Sequence, residues 1–79
     1  MSSVNVDFTN TGNEITMVLI TDQSGRSTGP LIIRPNQIVR HAVPLFNIVS
    51  LTYTRGRFEQ YASQSFTKNE TIDVNKYFV

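Results

Sequence analysis

A compact, all-β, antiparallel sandwich of six to seven short strands is the fold this 79-residue chain predicts, and three observations predict it. Apolar and polar residues alternate with a period of two along most of the chain, as in strands with one buried face. No segment keeps apolar residues at helical spacing for three turns. Nine Thr, seven Ser, seven Asn and four Gln, against two Ala, favour strands and turns, because Ser, Thr and Asn side chains compete with a helical backbone for hydrogen bonds. A five-stranded barrel of the OB type fits the same length and is the competing expectation.

The elements follow in order. Val4, Val6 and Phe8 alternate with Asn5, Asp7 and Thr9, a half-buried strand, and Asn10 to Asn13 turn the chain. Ile15, Met17 and Leu19, set against Thr16, Val18 and Ile20, make a strand apolar on both faces towards its end, which places it centrally. Asp22 to Gly29 reads as an eight-residue surface loop. Leu31 to Ile33 is a short apolar run closed by Arg34-Pro35-Asn36.

In the next strand Val39, His41 and Val43 share one face, and Pro44 ends it. Leu45 to Tyr53 follows, with Val49, Leu51 and Tyr53 facing one way, and Arg55-Gly56 signals a two-residue hairpin. Phe58, Gln60, Ala62, Gln64 and Phe66 alternate with Glu59, Tyr61, Ser63 and Ser65 on the return. After a turn at Lys68 to Glu70, Ile72 and Val74 begin a last strand, and the pattern leaves room for a short helix or 3₁₀ turn near Pro44 to Phe46 or Asp73 to Tyr77. The expected core is Val6, Phe8, Met17, Leu19, Ile33, Ile38, Val49, Leu51, Phe66 and Ile72.

Residues 1–79 leave room for one small β domain, too little for a doubly wound sheet or a TIM barrel. Charged residues make up 16% of the chain, against about 25% on average. The formal net charge of +1 lacks the basic excess of a dedicated duplex-DNA binder. With no cysteine and one histidine, neither a disulfide, a thiolate site nor a multi-histidine zinc site forms within one chain. The expectation is therefore no cofactor and no metal. The N-terminal residues lack the basic and apolar regions of a cleavable signal, and the longest apolar run, Met17 to Ile20, is far short of a membrane span. A soluble protein of the cytoplasm or of a virion is expected.

Catalysis finds no local signature: His41 sits between Val39 and Val43 as a half-buried structural histidine, and no nucleophile elbow or phosphate loop is present. The expectation is a non-enzyme. Its function is expected to be structural, through assembly into a homo-oligomer or a larger body by strand edges and termini, as small virion shell, decoration or fibre subunits require. The first and last strands are the expected open edges, and Tyr77, Phe78 and Val79 the expected assembly residues, since an apolar tail gains by burial. The alternative is a small single-stranded nucleic-acid-binding barrel. Its hairpin from Tyr53 to Tyr61 would stack bases on Tyr53, Phe58 and Tyr61 and hold phosphates with Arg55 and Arg57.

Overall fold

The computed structural model describes residues 2–79, and its seven strands divide into two sheets. In chain order they are β1 (Ser3–Thr9), β2 (Thr16–Thr21), β3 (Ser27–Ile33), β4 (Ile38–Pro44), β5 (Ile48–Arg55), β6 (Phe58–Ser65) and β7 (Glu70–Asp73). A 3₁₀ turn, η1 (Val74–Phe78), follows the last strand. One sheet has the order β4-β1-β7 and the other β3-β2-β5-β6. The sandwich is therefore the architecture, and the closed five-stranded barrel is set aside.

One cluster fills the space between the sheets, with Val6, Phe8, Val18, Ile20, Ile33, Val43, Val49, Leu51, Tyr53, Phe66, Ile72 and Val74 buried. Seven of the ten expected core residues are among them, and the three exceptions have two causes. Met17 and Leu19 lie on a strand apolar on both faces, where periodicity alone gives no preference for either. The structure turns Thr16, Val18 and Ile20 inward and leaves Met17 and Leu19 half-buried on the outer face. Ile38 pairs with Thr9 on the outer face of the small sheet and is 67% exposed, while Val39, His41 and Val43 point in as their alternation required.

Strand order corrects a second expectation. β1 is central, paired antiparallel with β4 and parallel with β7, so it has no open edge; β7 alone of the expected pair is an edge strand. Local chemistry explains three smaller shifts. Asp22 accepts hydrogen bonds from the N–H groups of Ser24 and Arg26, which tightens the expected eight-residue loop so that β3 starts at Ser27. The hairpin is centred on Gly56-Arg57, one residue later than expected. Gly56 takes φ +60° and Arg57 does not, the requirement of a type II′ turn with Gly first. The last strand stops at Asp73, whose side chain caps η1 by accepting from the Asn75 N–H at 3.2 Å.

Buried Asn10 ties these parts together. Its amide donates to the carbonyls of Glu14 at 2.7 Å and Ile33 at 3.0 Å, its side-chain oxygen accepts from the Gly12 N–H, and its own carbonyl accepts from the Asn36 N–H. These four bonds hold two loops to one end of the sandwich.

The inward register gives a direct test. Ile20→Ala and Leu51→Ala each remove a buried aliphatic side chain and should cost about 2–5 kcal/mol in denaturant unfolding. Met17→Ala, on the outer face, should cost about 1 kcal/mol or less. A larger loss at Met17 than at Ile20 would mean that β2 is turned the other way.

Candidate functional site

The residues singled out on the hairpin and on the C-terminal tail meet at one end of the sandwich. β5 carries Val49, Leu51, Tyr53 and Arg55 on its inner face, so the alternation that buries the first two also buries the others. Tyr53 is fully buried, and Arg55 is 9% exposed. The chain returns from β7 through η1 and lays Tyr77 on Tyr53, with ring centroids 4.0 Å apart and planes 17° from parallel. Phe78 lies over the Arg55 guanidinium at 4.7 Å from ring centroid to Cζ. Two sets of residues that looked unrelated in sequence form one cluster.

Polar groups from three elements surround Arg55. Its Nε donates to Thr16 Oγ1 at 2.9 Å, and one terminal nitrogen donates to Asn75 Oδ1 at 3.0 Å. Gly12 lies so close to the Asn75 side chain that a Cβ there would collide with it, which explains a glycine in this loop. Asp73 anchors the turn from the other side. Its carboxylate accepts from the Thr11 N–H at 3.0 Å, from the Thr11 hydroxyl and from Asn75 N–H. Among the described residues, two buried side-chain polar atoms have no partner, Arg55 Nη2 and Tyr53 Oη, and both are in this cluster.

Electrostatics match the geometry. Burial, with the Tyr77 phenol beside it, pushes the Tyr53 hydroxyl far above the ordinary tyrosine range, so it stays protonated. Desolvation pulls the Asp73 carboxyl upward, but the hydrogen bonds from Thr11 and Asn75 and the field of Arg55 outweigh it and hold the group below its ordinary value of 3.8. A cleft of about 370 Å³ opens beside the cluster, with Arg55 in its lining and Glu14, Phe58, Gln60, Tyr77 and Phe78 around it.

The five hairpin residues do not form one stacking surface. Tyr53 and Arg55 are inside the protein, because they share the inward parity of β5. Arg57 sits at the hairpin tip, 5.8 Å from the Phe58 ring. Phe58 and Tyr61, three residues apart on β6, fall on opposite faces of the sheet, and the Tyr61 hydroxyl donates to Glu59 at 2.8 Å. Of the tail residues, Tyr77 and Phe78 pack on their own domain, whereas Val79 is 94% exposed. Sequence reasoning missed Thr16, Asp73 and Asn75, the polar residues that hold this end together. The inward parity shared by Val49 and Arg55 was the available signal that a buried cation would need such partners.

Comparison of the chain with protein-family models, with characterised proteins and with solved structures finds no match. Among the described residues, no helix is long and apolar enough to cross a membrane.

Two outcomes are expected here. Tyr77→Ala should lose about 0.5–1.5 kcal/mol of aromatic pairing beyond the exposed area, because it strips the ring from Tyr53. Asp73 contributes stability that is fully present above its unfolded pKa of about 4 and is lost as pH falls through its lower folded value. Asp7, through Arg40, and Asp22, through Ser24, are depressed as well and act in the same direction. Asp73→Asn should therefore flatten, without abolishing, the fall in melting temperature below about pH 4. An acid limb identical to that of the unchanged protein would separate Asp73 from the acid response.

Proposed function

We propose that this protein is a non-catalytic assembly subunit that pairs with a second copy of itself along β6. The observation that carries the reading is the open edge of that strand. The two sheets have four edges, β3, β4, β6 and β7, and exposed edges are ordinarily blunted by proline, charge, bulges or shortness. β3 contains Pro30, and its register with β2 shifts between Val18 and Ile20. β7 has four residues. β4 ends in Pro44 and carries Arg40, whose Nε bonds Asp7 at 2.8 Å. β6 has none of these devices: eight residues in unbroken register with β5, no proline or glycine, and a single charge at Glu59.

The pairing alternation gives the direction of its free groups. A two-residue hairpin closing on Arg55 and Phe58 makes that pair exchange hydrogen bonds, and every second pair beyond it does the same. The backbone groups of Glu59, Tyr61, Ser63 and Ser65 consequently point away from β5, towards solvent. A second β6 running antiparallel satisfies them about a two-fold axis at Ala62. Glu59 then faces Ser65 and Tyr61 faces Ser63, so the one charge on the strand never opposes itself, as a self-complementary interface demands. The two four-stranded sheets join into one of eight strands, and Tyr61, 71% exposed, gains cover on the outer face.

Such a contact suits a shell, decoration or fibre subunit of a virion, in which edges make the joints and side chains supply no chemistry. The tail enters this reading only through Val79, since Tyr77 and Phe78 are committed to their own domain. A nucleic-acid reader is the weaker reading, because Tyr53 and Arg55 lie inside.

Molar mass across a dilution series tests the proposal. The unchanged chain should approach the mass of two copies at high concentration and of one on dilution. Ser63→Pro removes one solvent-facing N–H, leaves the β5 ladder intact, and should give one copy at every concentration with an unchanged circular dichroism spectrum. Ser65→Glu should act likewise, because it sets a second carboxylate directly opposite Glu59 of the other copy. A monomer at millimolar concentration, or a dimer indifferent to both variants, would remove the reading.

A further inference from the structure

Arg55 has been taken out of water without an anion to match it. Its two hydrogen-bond acceptors, Thr16 and Asn75, are neutral, and Nη2 has no partner. The ion pair among the described residues lies elsewhere, between Arg40 and Asp7. Asp73 acts on Arg55 through its field, with no hydrogen bond between them, and its carboxylate accepts from Thr11 and Asn75 instead. A buried cation with an unmatched donor is unfavourable, and the group that corrects it best is a carboxylate, whose two oxygens suit a guanidinium edge.

The surroundings specify the rest of the ligand. Arg55 lines the cleft of about 370 Å³, within the range of roughly 300–1,000 Å³ typical of small-molecule sites. Phe58, Tyr77 and Phe78 stand around it as aromatic walls, with Gln60 as a further polar group. Glu14 also lines the cleft, and its negative charge opposes a dianion such as phosphate more than a monoanion. Phe78 is half-buried, belongs to the terminal turn and covers the guanidinium, so it is the group that moves when Nη2 is reached.

We propose that the cleft beside the β5–β6 hairpin binds a small monocarboxylic acid with a planar apolar body, its carboxylate on Arg55 and its body against Phe58 and Phe78. The ligand replaces the face of the Phe78 ring over the guanidinium, and the ring repacks on the ligand. This site does not depend on the pairing of β6.

Phenylacetate is the probe, followed by proton–nitrogen NMR of the Arg55 Nε–H and the backbone amides. Saturable shifts of the Arg55 Nε–H and of the Phe78 amide are expected. The neutral 2-phenylacetamide and inorganic phosphate should bind at least tenfold more weakly. Arg55→Lys should lose binding at least tenfold. Glu14→Gln, at an exposed position that leaves the fold intact, should tighten it at least twofold. An Arg55 resonance unmoved by phenylacetate at millimolar concentration would overturn the proposal, as would equal binding of the amide or preferential binding of phosphate.

Discussion

The Arg55 guanidinium sits at the end of a row of inward-facing side chains, and protein groups must stand in for the water it has lost. They come from distant parts of the chain: Thr16 from the start of β2, Asn75 and Phe78 from the terminal turn. Each of these needs support in turn. Asn75 is placed by a turn that Asp73 caps, and Asp73 is fixed by Thr11, 62 residues away in sequence. Gly12 leaves the space that the Asn75 side chain fills. One buried charge thus organises the β1–β2 loop, the hairpin and the C-terminus into a single end-cap, where an apolar residue at position 55 would ask for none of it.

The rest of the molecule is governed by simpler forces. Two sheets with one apolar face each have to bury those faces against each other, and the alternation along β1, β4, β5 and β6 suffices to choose which residues do so. This is why the sandwich and most of its core could be read from residue pattern. Where the pattern was two-sided, as at Met17 to Ile20, neighbouring strands decided the facing, and no local property of β2 encodes that decision. Strand order was equally hidden. Nothing in Val4 to Phe8 announces that it lies between β4 and β7, because pairing partners are chosen by the whole sandwich.

Site residues were legible in proportion to how far each follows from alternation. Tyr53 and Arg55 have the same parity as Val49 and Leu51, so their burial was already implied by the face assignment, and a binding role on the surface conflicts with it. The stack of Tyr77 on Tyr53 was not legible, since it depends on the terminal turn folding back over β5. Thr16, Asn75 and Asp73 look like ordinary polar residues in sequence. Their importance comes from the charge they surround, and only three-dimensional proximity reveals it.

The placement of β1 bears on how the chain acquires its structure. In the larger sheet, β2–β3 and β5–β6 pair as neighbours in sequence and can form with short loops to close. The small sheet has no such pair: β1 must wait for β4 on one side and for β7 on the other. Closing long loops before any contact rewards them makes such pairings slow and late. On a ribosome, β1 emerges before both of its partners and is completed late, with Val6 and Phe8 lacking their parallel neighbour until β7 has been made. During that interval an apolar strand is open on one side, and the half-made chain is at its most adhesive while its own closing strand is still inside the exit tunnel.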